Sequence, residues 1–169
     1  MIAGILSHTP TWVWIVFSLV LALGFSQTRS REVGAVRVTL LPVAMMVLSL
    51  SGVVMAFGQV PIALAAWAAG FGLSLTLVGP WFAVRGASWS PRTRRFHIPG
   101  SWLPLILILG VFVTKYAAGV CIAVDHSLAA NVTFATLLSL AYGSFSALFW
   151  VRARSLRAVM VGSSPELAA

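Results

Sequence analysis

Acidic residues are nearly absent from this sequence. Glu32, Asp125 and Glu166 are its only carboxylates among 169 residues, against 11 basic residues. Charged residues of both signs make up 8% of the chain, whereas a soluble domain carries about 25%. With 60% hydrophobic residues, the chain has too little polar surface to face water on all sides. The composition argues against a soluble enzyme or a nucleic-acid-binding domain and predicts an integral membrane protein.

Cysteine is also scarce, since Cys121 is the only one in the chain. An intrachain disulfide is therefore excluded, and Cys121 lies in an apolar run away from other metal-ligating residues. The sequence contains no P-loop, dinucleotide fingerprint, HExxH helix, CxxC pair or nucleophile elbow. We therefore predict no cofactor and no metal centre, and enzyme activity is the weaker expectation.

Long apolar runs account for most of the chain. A helix needs about 20 residues to cross roughly 30 Å of hydrocarbon, and helices satisfy their own backbone hydrogen bonds in lipid. This length predicts five spans, at residues 10–25, 38–57, 61–81, 102–124 and 128–150, of which the first is the shortest at 16 residues. The fold class is therefore an all-α membrane protein with a bundle of five transmembrane helices. Residues 1–158 form one domain in this prediction, and residues 159–169 form a flexible cytoplasmic tail.

Arginine is confined to three clusters between or after these runs. The clusters lie between spans one and two, between spans three and four, and after span five, and the opposite connections carry none. Positively charged loops stay in the cytoplasm. The distribution predicts an N-terminus outside and a C-terminus inside, in an inner (plasma) membrane.

Small residues recur on several spans, where they would let helix backbones approach one another closely. Their positions are Ser49 and Gly52, Ala66 and Gly70, and Ala141, Gly143 and Ser144. We expect helix packing at these points.

Lys115 is the one formally charged residue well inside a predicted span. It lies 13 residues after Trp102 and 10 before Asp125, which places its backbone near the membrane midplane. An intramembrane charge is costly, and no carboxylate lies within a span to pair with it. The hydroxyl residues at a similar depth are Ser18, Ser49, Ser51, Ser74, Thr136 and Ser139.

Three interpretations of Lys115 remain open. Hydroxyls, carbonyls or water could hold it as a structural residue, or it could reach outward to the membrane surface. It could instead bind a proton or an anionic ligand. A nucleophilic lysine that forms a Schiff base is the least favoured of the three.

A second group of polar residues falls on the predicted outer face. His8 precedes span one, and Asp125 and His126 join spans four and five. If these spans are neighbours, the three side chains could bind a metal or relay protons. Their spacing matches no metal motif, so solvated turn residues are the favoured interpretation.

The predicted cytoplasmic loop at 85–101 mixes basic and aromatic residues. Such a mixture can bind RNA, but beside two spans it more often contacts anionic lipid headgroups, so we predict no nucleic acid partner. Short extended arms around a turn at Ser90–Thr93 could form a hairpin on the membrane. The residues predicted to contact lipid headgroups or a protein partner are Arg85, Arg92, Arg94, Arg95, Arg152, Arg154 and Arg157.

Three short motifs carry a resemblance to a known family. They are His8–Pro10 leading to Trp12–Trp14, Phe96–Trp102 at the start of span four, and Lys115–Tyr116 within it. Over most of its length the chain resembles a family of small bacterial multi-span inner-membrane proteins catalogued as a domain of unknown function. The resemblance implies a bacterial membrane protein but supplies no activity, substrate or site residue.

Three functions follow as hypotheses. The leading one is a bundle, alone or as a homo-oligomer, that binds or transports a small solute, a proton or an anion around Lys115. The alternative is a non-catalytic accessory or assembly protein that acts through its basic cytoplasmic loop. The third is a metal-binding or redox protein that uses His8, Asp125 and His126.

Overall fold

The computed structural model describes residues 10–58 and 60–162, which form five helices and three short strands. The helices are α1 (Thr11–Ser26), α2 (Ala35–Phe57), α3 (Ile62–Phe82), α4 (Leu103–Val124) and α5 (Val132–Gly162). The strands are β1 (Arg31–Gly34), β2 (Ser88–Ser90) and β3 (Arg95–Ile98). A π-helical turn at Ser74–Val78 interrupts α3, and a 3-10 turn at His126–Ala130 leads into α5.

Four of these helices, α2 to α5, are long and apolar enough to cross a membrane, as the composition predicts. The remaining helix, α1, is apolar but has only 16 residues. Large apolar side chains cover the outside of the bundle, which is the surface expected of a protein whose solvent is lipid.

Helix α5 differs most from its predicted span. It has 31 residues, about 46 Å at 1.5 Å per residue, and extends well past the predicted end at Trp150. The arginines at its end interrupt the apolar run but favour helix, so the helix continues beyond the hydrocarbon-length segment. Residues 159–162 of the predicted tail are therefore helical. Residues 163–169 lie outside the described part of the chain.

The packed half of the bundle consists of α2, α3 and α5. Where α3 crosses α5, a Cβ at Gly70 would strike the Leu140 carbonyl, and one at Gly143 would strike the Trp67 carbonyl. These contacts confirm the close approach predicted at Gly70 and Gly143. Nearer one end, a buried cluster links the three helices, and its members are Val53, Phe57, Val60, Ala63, Ala135 and Tyr142.

The other two helices form the α1–α4 pair. Gly24 lies directly on Leu105, and the rings of Phe17 and Phe112 pack with their centroids 5.2 Å apart. Helix α4 contacts α5 less extensively than α2 and α3 do. The bundle thus has a close-packed half and a pair of helices laid against it.

A three-stranded antiparallel sheet covers one end of the bundle, in the order β1-β3-β2. Arg31 is paired with Ile98 and Ser88 with His97. Phe96 and Ile98 are buried against Val38 of α2 and Leu156 of α5. The hairpin predicted around Ser90–Thr93 is confirmed, whereas the addition of β1 to it was not predicted. We call this end of the bundle the sheet end, and the opposite one the Asp125 end.

Candidate functional site

A cavity of about 340 Å³ lies between the packed half and the α1–α4 pair, and we call it the seam cavity. Each helix that lines it contributes residues at helical spacing, so one face of each turns inward. On α4 these are Ile108, Val111, Phe112, Lys115 and Tyr116. On the other helices they are Val13, Val16 and Val20 of α1, Met45, Leu48 and Ser49 of α2, and Tyr142, Phe145, Ser146 and Phe149 of α5.

Lys115 lies on the wall of this cavity, near the middle of α4. Its ammonium donates one long hydrogen bond, 3.4 Å, to the backbone carbonyl of Leu48. It also lies 5.9 Å from the centroid of the Tyr142 ring, within the range of a cation–π contact. Because an ammonium has three N–H donors, these two contacts leave hydrogen-bonding capacity unused. Lys115 is half-buried, and among the described residues no carboxylate lines the cavity.

Gly52 on α2 leaves the space that the end of the Lys115 side chain occupies. A Cβ at Gly52 would lie 3.1 Å from Nζ of Lys115 and 3.6 Å from its Cε. Gly52 follows Leu48 by one helical turn and adds no Cβ beside the carbonyl that accepts the lysine hydrogen bond, although the hydroxyl of Ser51 donates to that carbonyl as well. The small residue at 52, predicted to serve helix packing, therefore accommodates the lysine side chain.

Ser49 lines the cavity with Lys115, but its hydroxyl forms hydrogen bonds with other residues. Its Oγ donates to the carbonyl of Tyr142 at 3.1 Å and accepts from Nε1 of Trp67 at 2.8 Å. It thereby joins α2, α3 and α5. Its role in the structure is to fix the wall of the cavity.

The other hydroxyl residues predicted near Lys115 do not line the cavity. Ser18 and Ser51 are exposed, and Ser51 donates to the Leu48 carbonyl of its own helix. Ser74 is buried in the π-helical turn, and Thr136 is half-buried elsewhere on α5. The Oγ of Ser139 is buried with no hydrogen-bond partner among the described residues.

Two residues at the cavity were missed from the sequence. Tyr142 supplies the ring beside Lys115 and the carbonyl that accepts from Ser49, and Ser146 donates to the same carbonyl at 3.0 Å. A tyrosine inside an apolar run was the available signal for Tyr142, because its ring can face a cation and its hydroxyl prefers a polar partner. No comparable signal distinguished Ser146.

A second cavity, of about 590 Å³, lies at the sheet end, and we call it the vestibule. It shares lining residues Val20, Met45, Ile108 and Phe149 with the seam cavity. Its polar wall contains Arg31 of β1, Arg37 of α2 and Arg152 of α5. Burial lowers the pKa of the Arg31 guanidinium, and the nearby charge of Arg37 lowers it further.

Among the arginines predicted to contact headgroups, only Arg152 lines the vestibule. Arg85, Arg92 and Arg94 are exposed around the hairpin. Arg95 pairs with Glu32 at 3.7 Å, and Arg157 donates to Oγ1 of Thr39 at 2.8 Å. Arg154 is exposed on α5. Their contact with lipid or a partner stays a prediction.

Of the residues predicted for an outer-face metal site, Asp125 and His126 lie at the Asp125 end, at the start of the 3-10 turn. Asp125 accepts hydrogen bonds from the hydroxyl of Ser127 at 2.6 Å and from its backbone N–H at 2.9 Å. These bonds hold the pKa of the Asp125 carboxyl below its ordinary value. Within the described residues no group of three His, Cys, Asp or Glu side chains could hold a metal. His8 lies outside the described residues.

Comparison with known proteins identifies a family but no activity. A family model described as "Family of unknown function (DUF6622)" matches residues 1–165. No curated protein and no solved structure matches the chain.

Proposed function

Because the chain belongs to the DUF6622 family, whose function is unknown, we propose a function from its geometry: it binds an anionic amphiphile in the seam cavity, with the anionic group at Lys115. The amphiphile is a long-chain carboxylate or a molecule of similar chemistry. The apolar body of the ligand occupies the space between the packed half and the α1–α4 pair.

The observation that carries this proposal is the position of Lys115 on a cavity wall with donors unused. A structural lysine in an apolar region would be expected to use its donors on carbonyls or hydroxyls, because an unpaired charge there is costly. Lys115 donates one hydrogen bond, and that one is long at 3.4 Å. An anion that enters the cavity would supply the missing partner.

The remaining lining decides the class of ligand. Ser49 and Ser146 are committed to the carbonyl of Tyr142, so most of the wall offers aliphatic and aromatic surface. Such a wall suits a hydrocarbon chain better than a hydrated solute, whose polar groups would lose their hydrogen bonds to water. The volume of about 340 Å³ falls at the lower end of the range of small-molecule sites.

We propose further that all five helices cross an inner (plasma) membrane, with the N-terminus outside and the sheet end in the cytoplasm. Arginine is concentrated at the sheet end, as the positive-inside rule requires of the cytoplasmic face. Helix α1 is short at 16 residues, but local thinning of the bilayer can compensate for the mismatch.

Photo-crosslinking tests the ligand proposal. The probes are palmitic acid with a diazirine on its chain and the uncharged methyl ester of the same compound, each added to the full-length protein in nanodiscs. We expect the acid to label the wild-type protein about tenfold or more above the ester, as the loss of a charge-assisted hydrogen bond implies. Lys115→Met should remove this preference, and Lys115→Arg should retain part of it.

Thermal unfolding and gel filtration of each variant show whether it is folded. A folded Lys115→Met protein that still prefers the acid to the ester would contradict the proposal, as would equal labelling of the wild-type protein by both probes.

A further inference from the structure

We infer that the vestibule binds the phosphate headgroup of an anionic membrane lipid, at a site separate from Lys115. This inference does not rest on the proposed function, because Arg31, Arg37 and Arg152 hold the anionic group in place of Lys115.

Three guanidinium groups from three different elements line the vestibule. Arg31 lies on β1, Arg37 in the first turn of α2 and Arg152 in the last third of α5. The sheet brings β1 to these two helices, so the fold itself assembles the cluster. Like charges repel, and a fold that gathers them gains from a bound anion.

Few acidic side chains neutralise the positive charge of these three arginines. Glu32 is the one carboxylate among the described residues of the lining, which leaves a net charge of +2 from three arginines and one glutamate. The Glu32 carboxylate is 3.7 Å from Arg95, which does not line the vestibule. Nη2 of Arg31 donates to Oε1 of Gln27 at 2.8 Å, a neutral partner that orients the guanidinium without cancelling its charge.

Burial distinguishes two of these arginines, Arg31 and Arg152, from the others at the sheet end, whereas Arg37 is exposed. Arg31 and Arg152 are half-buried, whereas Arg154, two residues further along α5, is exposed. The side chain of Arg152 makes no hydrogen bond or ion pair with another described residue. Arginine binds phosphate through two parallel hydrogen bonds, so a half-buried, uncommitted guanidinium is suited to a phosphate group.

The shape of the vestibule favours a lipid over free phosphate. Apart from the arginines and the polar residues Ser26, Gln27 and Glu32, its wall is apolar. Val20, Met45, Ile108 and Phe149 belong to both the vestibule and the seam cavity. A phospholipid would place its phosphate on the arginines and an acyl chain on this shared apolar wall. Inorganic phosphate would leave that wall without a partner.

Native mass spectrometry of the full-length protein tests the inference. The protein is released from nanodiscs that contain equal amounts of phosphatidylglycerol and phosphatidylcholine. We expect the wild-type protein to retain phosphatidylglycerol in preference to phosphatidylcholine, at one molecule per chain. Arg31→Gln and Arg152→Gln should each lower the retained phosphatidylglycerol about tenfold, since each removes charge-assisted hydrogen bonds. Arg154→Gln is the matched control and should retain it as the wild type does.

Several results would overturn the inference. Equal retention of the two lipids by the wild-type protein would do so without any variant. An equal loss in Arg154→Gln would mean that general surface charge, and not the vestibule, holds the lipid. A third arm adds excess inorganic phosphate before release, and complete displacement of phosphatidylglycerol would indicate a site for free phosphate.

Discussion

Glycine has opposite effects in the packed half and at the seam cavity. In the packed half, Gly70 and Gly143 let two backbones touch, and no space remains between α3 and α5. At the seam, Gly52 leaves room that Lys115 occupies, and the helices beyond it stay apart. Without a strong hydrophobic drive between apolar helices in lipid, close packing of small residues holds a bundle together. The part that lacks this packing is free to accept a ligand.

The packed half thus serves as the scaffold, and the seam cavity is the proposed binding site. Rigid elements hold a binding group in place more reliably than mobile ones. Ser49 and Tyr142 lie at the boundary between the packed half and the seam cavity, because both contribute to each of them. Substitutions in the packed half should therefore change stability, and substitutions at the seam should change binding.

The largest effect is expected at the crossing of α3 and α5. Gly143→Leu would drive a side chain into the Trp67 carbonyl and, at 2.9 Å, the backbone nitrogen of Phe71. Backbone cannot move aside as a side chain can, so we expect at least the roughly 1–3 kcal/mol typical of overpacking. The measurement is the monodisperse fraction on gel filtration, with the midpoint of thermal unfolding. At Gly72, a Cβ would meet no described atom within 4 Å, so Gly72→Leu is the control and should behave as wild type. Equal behaviour of the two variants would mean that the crossing is not close-packed.

A smaller loss of stability is expected at the boundary. Ser49→Ala removes the acceptor of the Trp67 indole N–H and should cost about 1 kcal/mol, the lower end of the range for an unsatisfied donor, because the indole is half-buried. The midpoint of thermal unfolding measures it. Ser51→Ala is the control, because Ser51 is exposed and bonds only within its own helix, so its effect should stay within about 0.5 kcal/mol. Equal shifts for both variants would show that the link between α2, α3 and α5 contributes nothing.

The smallest change is expected for Gly52→Ala. The added methyl would lie 3.1 Å from Nζ of Lys115, and the flexible lysine would have to shift by a few tenths of an ångström. We expect an unfolding midpoint near that of the wild type but a severalfold lower labelling by the photoreactive acid. Gly119→Ala provides the control on α4, since a Cβ there meets open space among the described residues. Unchanged labelling in Gly52→Ala would mean that the position of the Lys115 ammonium does not affect ligand binding.

Much of the fold could be predicted from the sequence because membrane helices are defined locally. Long apolar runs gave four of the helices, and small residues marked the crossing at Gly70 and Gly143. Membership of the family of unknown function was also predicted and is confirmed. Strand β1 was not predicted, because four residues with no clear apolar alternation pair with a hairpin that lies more than 50 residues away in the chain.

The site was harder to predict than the fold. Counting residues along a helix gives depth in the membrane but not rotation about the helix axis, and this is why Ser49 lines the cavity while Ser51 faces outward. Lys115 could be singled out because it is the one charge in an apolar run. Arg31 and Arg37 were assigned to topology alone, since their convergence with Arg152 depends on how β1 and α2 lie against α5.

The most direct test of the account is where the photoreactive fatty acid attaches to the wild-type protein. Peptide mapping by mass spectrometry after cross-linking in nanodiscs gives this position. The account predicts labels on the seam faces of α1, α4 and α5, such as Val16, Phe112 and Phe145, and their loss when unlabelled palmitic acid competes. Labels spread evenly over exposed lipid-facing residues such as Leu40, Leu77 and Leu137, without competition, would contradict it.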